Sequence, residues 1–412
     1  MKRMVLGILF ALLSASMFTA AFSVQPAKAT DVDWWPMFHH DLTHTGYSTS
    51  PAPTTNQTLW TYRTGSPVYS SPAVASGIVY VGAEDFKVYA LNASTGAFIW
   101  NYTTAGVVPS SPAVADGIVY VGAEDNNVYA LNATTGTLIW NYTTGGWVDT
   151  SPAVANDVVY VGSWDNNVYA LNATTGAFIW NYTTGGIVWS SPAVAGGIVY
   201  VGSVDYKVYA LNASTGTLIW NYTTGNAVWS SPAVTGGIVY VGSWDNNVYA
   251  LNATTGAQIW NYRTGGYVGF SSPAVAGGMI FVGSGDGKVY ALNASTGALI
   301  WNYTTGRAVW SSSPAVAGGI VYVGSMDSNV YALNATTGTL VWSYTTGDWV
   351  LSSPAVADGI VYVSSYDHKI YAFGSGQVIP EFPPYLVLPL FAATTLLAAL
   401  LFKRKRKRKI YT

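Results

Sequence analysis

Short apolar runs alternate along the chain with clusters of Gly, Asn, Asp, Ser and Thr. Residues 151–182 show the unit. Ser151-Pro152-Ala153-Val154-Ala155 is a run of small residues led by proline, which a strand accepts at its first position. Val158-Val159-Tyr160-Val161-Gly162 and Val168-Tyr169-Ala170-Leu171 are β-branched and aromatic, and Phe178-Ile179-Trp180-Asn181-Tyr182 forms the last run. Between them, Ser163-Trp164-Asp165-Asn166-Asn167 and Thr174-Thr175-Gly176 carry turn chemistry, since Asp and Asn bond their own amides and tolerate unusual backbone angles. The pattern predicts four strands joined by three hairpins and has no helical period.

This unit recurs eight times. Ser-Pro-Ala-Val begins at Ser71, Ser111, Ser151, Ser191, Ser231, Ser272, Ser313 and Ser353, a step of 40 or 41 residues. A tryptophan marks the other end of each unit: Trp60, Trp100, Trp140, Trp180, Trp220, Trp260, Trp301 and Trp342. The first tryptophan precedes the first Ser-Pro, and the last Ser-Pro has no tryptophan after it. A closed ring explains that offset, because the strand around Trp60 then completes the unit that begins at Ser353. Periods of this length with several short strands each predict propeller blades. The expected fold is all-β, an eight-bladed β-propeller of four-stranded antiparallel blades. Blades are wedges, so Ala153-Val154-Ala155 suits the hub, and Trp180 with Tyr182, on one face of a strand, suits the rim against the neighbouring blade.

The ends carry other signals in this 412-residue chain. Lys2 and Arg3, an apolar run to Phe22 and Ala27-Lys28-Ala29 predict a signal peptide over 1–29. A leader segment spans 30–57, the propeller 58–375 and a Pro-rich linker 376–384. Residues 385–402 are apolar and just long enough for a transmembrane helix, and 403–412 form a basic tail. Seven cations beside a span place the C-terminus in the cytoplasm and the propeller outside.

Charge sharpens this address. Between Thr30 and Val378 stand 18 acidic residues and only seven basic ones (Arg63, Lys87, Lys207, Arg263, Lys288, Arg307 and Lys369). The near-neutral total comes from the tail, and a negative ectodomain repels nucleic acid and anionic lipid. The absence of Cys excludes disulfides, thiolate catalysis and Cys-held zinc or haem. Sequons for N-glycosylation stand at Asn56 and at two repeat positions: Asn92, Asn132, Asn172, Asn212, Asn252, Asn293 and Asn334 before Thr-Gly, and Asn101, Asn141, Asn181, Asn221 and Asn302 after the tryptophan. Asn also caps turns and Thr suits strands, so the repeat alone accounts for the motif.

With eight copies, differences between blades mark positions that the blade does not dictate. Two segments vary. The turn between second and third strands carries Glu84, Glu124, Trp164, Val204, Trp244, Gly285, Met326 and Tyr366. The connection from each rim strand to the next hub strand carries Tyr69, Pro109, Trp147, Asp149, Trp189, Trp229, Tyr267, Phe270, Trp310 and Trp349. In a propeller both open on one face around the channel mouth. Trp147, Trp164, Trp189, Trp229, Trp244, Tyr267, Phe270, Trp310 and Trp349 are therefore candidates for an aromatic ligand-binding face for a glycan, a peptide or a neighbouring surface protein. Packing on each other to close the channel is the competing account.

Other candidates are weaker. Asp85, Asp125, Asp165, Asp205, Asp245, Asp286, Asp327 and Asp367 recur once per blade and fit an Asx turn; calcium needs six or more oxygens. His39, His40, Asp41 and His44 have ligand-capable spacing for zinc or copper.

The run Val159-Tyr160-Val161-Gly162-Ser163-x-Asp165-x-x-x-Tyr169-Ala170-Leu171-Asn172-Ala173-x-Thr175-Gly176-x-x-x-Trp180 closely resembles the PQQ-type propeller repeat, over residues 58–373. That repeat occurs in quinoprotein dehydrogenases and in a lipoprotein that helps assemble outer-membrane barrels. Asn172 and its equivalents stand where the family usually has Asp. The leader run from Trp35 to Gly46 is similar to a segment that often precedes such propellers, which implies a capping role for its histidines. Pro380-Glu381-Phe382-Pro383 resembles archaeal sorting tails recognised by a sortase-like protease. The dehydrogenase side of the resemblance would imply a PQQ-dependent oxidoreductase with quinone and calcium, but those enzymes carry blade insertions and adjacent cysteines that are missing here. His368 is the sole His in the ring, so general-base chemistry lacks its commonest agent. The sequence thus favours a non-catalytic surface scaffold without cofactor or metal over a quinone enzyme or a structural envelope component.

Overall fold

The computed structural model describes residues 32–375. The expected signal peptide, Pro-rich linker, sorting motif, transmembrane segment and basic tail lie outside the described residues. Among those described, no helix is long and apolar enough to cross a membrane.

Eight separate four-stranded antiparallel sheets form the ring, and one of them gains a short fifth strand. In blade 3 the strands are Ala153–Ala155, Val158–Gly162, Asn167–Asn172 and Phe178–Thr183. Their order in the sheet follows the chain, from hub to rim. Neighbouring hub strands, which carry only small side chains, approach each other around the axis. Blade 8 draws its rim strand from the other end of the chain: Gln57–Arg63 pairs antiparallel with Lys369–Gly374, placing Trp60 opposite Ala372. The predicted closure is therefore present, with the first ring strand completing the last wedge and leaving no gap between blades.

Each rim tryptophan is buried against the following blade. Trp180 is 7 % exposed, and its indole N–H donates to the Ala213 carbonyl at 2.9 Å. The Tyr160 hydroxyl donates to that same carbonyl at 3.1 Å, so a tyrosine and a tryptophan from one blade share one acceptor on the next. The arrangement repeats around the ring, except that Phe281 leaves Trp301 the lone side-chain donor to Ala335, and at Trp342 and Tyr322 the Pro53 carbonyl takes the place of the alanine. The Thr-Gly turn fits beneath the ring of the preceding tryptophan. Gly176 has φ +71°, and a Cβ there would lie 2.7 Å from the Trp140 ring. Asn172 Oδ1 accepts the amides of Thr174 and Thr175 at 3.1 and 2.9 Å. A neutral carbonyl does this capping as well as a carboxylate, which accounts for Asn at that position.

The Ser-Pro serines make a second circular device. The amide of Ser71 donates to the Ser111 hydroxyl at 3.0 Å, and the same bond links every successive pair around the axis. The Ser353 amide, donating to Ser71 at 2.9 Å, completes the circle.

The leader runs inside this circle. Carbonyls of Trp35, Pro36, Leu42, Thr43, Thr45 and Gly46 accept the hub-strand amides of Val74, Val114, Val194, Val234, Val275 and Val316, at 2.7–2.8 Å. Tyr47–Ser48 then pairs parallel with the hub strand Ala315–Ala317. These bonds satisfy the inner edges of six of the eight hub strands, which would otherwise present unpaired amides to the channel.

Candidate functional site

The loop face is assembled from two segments per blade that are tied backbone to backbone. The Trp164 amide, in the turn of blade 3, donates to the Trp147 carbonyl, in the connection entering that blade, at 2.9 Å. The invariant aspartate holds the same junction. Asp165 Oδ1 accepts the Asn167 amide at 3.0 Å, while Oδ2 accepts the Tyr169 hydroxyl at 2.6 Å and the Gly145 amide at 2.7 Å. Burial works to raise this carboxyl, but the Tyr169 and Asn167 bonds prevail and hold it below the usual range. The recurring aspartate is thus a turn and inter-blade tie, with its lone pairs already used by the protein.

These loops surround a cavity of about 580 Å³ on the axis. Its floor consists of Phe38 from the leader and serines of the hydrogen-bonded circle, Ser71, Ser111, Ser151, Ser191, Ser231 and Ser353. Because the leader fills the hub, the cavity is a blind funnel open at the loop face. Each serine oxygen accepts an amide from a neighbouring blade and keeps its own hydroxyl proton.

One wall is aromatic. Ring contacts run without a break from Trp147 to Trp164, Trp189, Trp229 and Trp244, with centroid separations of 3.9–5.0 Å. Tyr267, Phe270 and Trp310 continue the arc: Tyr267 stacks on Trp244 at 4.9 Å, and Phe270 packs against Trp229 at 4.9 Å and Trp310 at 5.3 Å. Of the nine aromatic candidates, Trp189, Trp229, Trp244, Phe270 and Trp310 line the funnel. Trp147, 41 % exposed, and Trp164 and Tyr267 extend the arc outward. Trp349 stands apart, stacked on Tyr366 at 6.2 Å. The aromatics do pack on each other, yet they leave the funnel open.

The opposite wall is acidic, a feature the aromatic pattern overshadowed. Glu84, Glu124 and Asp149 line the funnel from blades 1, 2 and 3, with Tyr69, Pro109 and Tyr366 between them. They occupy the same two variable positions as the aromatics, so blade-to-blade variation did contain the signal. Burial, then the nearby Glu124 carboxylate, pushes Asp149 up to about 7, and the indoles of Trp164 and Trp189 oppose this without reaching hydrogen-bond geometry. Burial followed by Glu84 raises Glu124. Among the described residues, no lysine, arginine or histidine lines the funnel.

The histidines of the leader serve its packing. His39 Nδ1 donates to the His44 carbonyl and His44 Nδ1 to the Pro232 carbonyl, both at 3.2 Å. Burial, and for His39 the adjacent His44, lowers them to about 3 and about 4. His40 differs: burial would lower it, but Asp41 and Asp33 prevail and raise it. Among the described residues no three His, Asp or Glu side chains are gathered to hold a metal ion. The sequon asparagines divide by position. Those before Thr-Gly are half-buried turn caps, whereas Asn101, Asn141, Asn181, Asn221 and Asn302 are exposed on rim strands.

The family model described as outer membrane protein assembly factor BamB matches residues 49–187, 183–309 and 304–377. No curated protein sequence matches the chain. Among solved structures, BamB from Moraxella catarrhalis aligns at 20% identity and a TM-score of 0.67, covering 77% of this chain and 99% of that one. The computationally designed Ika8 protein aligns at 20% identity and a TM-score of 0.70, with the same coverage. Quinohemoprotein alcohol dehydrogenase from Comamonas testosteroni aligns at 19% identity and a TM-score of 0.74, covering 85% of this chain and 82% of that one. At these identities the structural likeness carries the fold alone.

Proposed function

The chain belongs to the repeat family described as outer membrane protein assembly factor BamB, and from that premise we propose that it is a non-catalytic binding scaffold. In this reading it is exported, tethered to the membrane by its C-terminal segment unless a sortase-like protease clips the tail, and displayed outside the cell with its exposed rim sequons open to glycosylation. The funnel receives a glycan, a peptide or part of a neighbouring surface protein. The observation that carries the proposal is the unbroken aromatic arc around a blind funnel of about 580 Å³. Flat rings held by packing offer a ligand stacking area at little entropic cost.

The quinone-enzyme alternative meets a charge mismatch. Pyrroloquinoline quinone is itself a tricarboxylate, and the funnel that would receive it is lined by Glu84, Glu124 and Asp149 with no basic side chain. Like charges at close range in a partly dry site cost several kcal/mol. The residues present do not fit the group.

A glycan and peptide array probed with the purified protein, alongside the triple variant Trp189→Ala, Trp229→Ala, Trp310→Ala, tests the scaffold. Binding by the parent and its loss in the triple variant are expected. Equal binding by both would remove the aromatic face as the site, and quinone-dependent dye reduction with an alcohol would overturn the non-catalytic reading.

A further inference from the structure

The funnel has two unlike walls, and together they narrow the ligand. On blades 1 to 3, Glu84, Glu124 and Asp149 face the cavity with no basic side chain lining it to neutralise them. Asp149 Oδ1 is fully covered by protein and has no hydrogen-bond partner. The indole N–H groups of Trp164, beside Asp149, and of Trp229 and Trp244 are likewise buried without an acceptor. Below them the serine hydroxyls retain protons that the protein does not take up. Buried polar groups in native proteins find partners. A funnel lined by uncompensated carboxylates, flat aromatic rings and a hydroxyl-bearing floor therefore suits a ligand with complementary groups.

Resting on the binding-scaffold reading, we propose that the funnel selects a free-amine sugar, whose ammonium meets Glu124 and Asp149 while its ring face stacks on Trp189 and Trp229. A protonated amine supplies the missing positive charge, and attraction to the π-face of the same tryptophans adds to it. Ring oxygens and hydroxyls supply acceptors for the serines. A lysine side chain offers the charge but no acceptor, and an N-acetylated sugar offers acceptors but no charge. The excess of acidic over basic residues between 30 and 378 draws cations toward this face before contact. Burial with repulsion from Glu84 raises Glu124, and burial with repulsion from Glu124 raises Asp149, so a bound cation also relieves the strain of holding these groups together.

Titration of the full chain in detergent with glucosamine trimer, N-acetylglucosamine trimer and trilysine, followed by tryptophan fluorescence and calorimetry, decides the matter. The glucosamine trimer is expected to bind about tenfold or more tightly than either of the others, and to weaken with salt. The double variant Glu124→Gln, Asp149→Asn is expected to lose that preference while keeping the parent's melting temperature or exceeding it. Equal binding of the free and acetylated trimers would overturn the role of the acidic wall and leave the scaffold reading standing. Trilysine binding as tightly as the glucosamine trimer would overturn the sugar assignment. If none of the three binds while the array finds another ligand, the amine inference falls alone; if the array is also blank, the scaffold reading falls with it.

Discussion

The indole N–H of Trp60 donates to the Ala93 carbonyl at 2.8 Å, the same bond that Trp180 makes to Ala213 at 2.9 Å. Both bonds span 33 positions of chain. The Ala93 carbonyl also accepts the Tyr362 hydroxyl at 3.1 Å, from the other end of the ring, because Trp60 and Tyr362 share the last blade. The closed blade thus meets the first as Trp180 and Tyr160 meet Ala213, and only the covalent route inside that blade differs.

Replacing either tryptophan by alanine removes a buried ring of about 150–250 Å² and one of the two donors to a shared carbonyl. Trp60→Ala and Trp180→Ala are each expected to destabilise the ring by about 3–5 kcal/mol. Calorimetric melting checks this, and an unchanged midpoint for Trp180→Ala would contradict its place in the core.

Gly176 combines a left-handed backbone with contact against Trp140. Gly176→Ala adds a methyl where the ring lies 2.7 Å away, so either the turn or the tryptophan must shift. A loss of about 2–4 kcal/mol in denaturant unfolding is expected. Gly117→Ala is the matched control, because it too has a positive φ but nothing within 4 Å of the added carbon; it should lose only the backbone part, about 1–2 kcal/mol.

Asp149 is a carboxyl whose folded pKa, about 7, lies above the ordinary aspartate value of 3.8. The native state therefore binds a proton that the unfolded chain releases, and this contribution is fully present below pH 3.8 and disappears as pH rises through 7. Asp149→Asn fixes the uncharged form. Its melting temperature is expected to exceed the parent's at pH 8, by a margin of about 1–3 kcal/mol in stability, and to match it at pH 4.

His39 and His44 act in the opposite sense. Their folded values, about 3 and about 4, lie below the ordinary histidine value of 6.5. The unfolded chain takes up protons first as pH falls, so the stability they confer is complete above pH 6.5 and is lost progressively toward pH 4. His44→Gln, which keeps a donor for the Pro232 carbonyl, is expected to flatten the fall in melting temperature between pH 6.5 and 4.5. An unchanged slope would place the acid sensitivity elsewhere.

Much of the fold was legible because it is dictated by residue size repeated eight times. Ala153-Val154-Ala155 could only suit a crowded hub and Trp180 only a wide rim, and the offset between Trp60 and Ser353 required closure. The recurring Asp165 read correctly as a turn residue, although its second bond, to Gly145 of the preceding connection, depends on tertiary placement. The leader's path was less visible. Its residues meet the hub valines through backbone carbonyls, and a carbonyl leaves no mark on the sequence. The site was half legible: Trp189, Trp229 and Phe270 stood out against the repeat, whereas Glu84, Glu124 and Asp149 gained meaning only when the ring placed them across the funnel. Trp349 was misplaced for the same reason, since it belongs to blade 8, beyond the end of the arc.

The leader plug also bears on how the molecule is made. Pro53 must wait for Tyr322, 269 positions later, before its carbonyl has a side-chain donor. At ~5–20 residues per second that interval is about 13–54 s of synthesis. Throughout it, the strand that will seal the seam has a free edge and no partner of its own, while a second nascent molecule offers an equivalent vacancy. Crowded production should therefore yield intertwined pairs in which each copy lends its opening strand to the other, and dilution during refolding should suppress them.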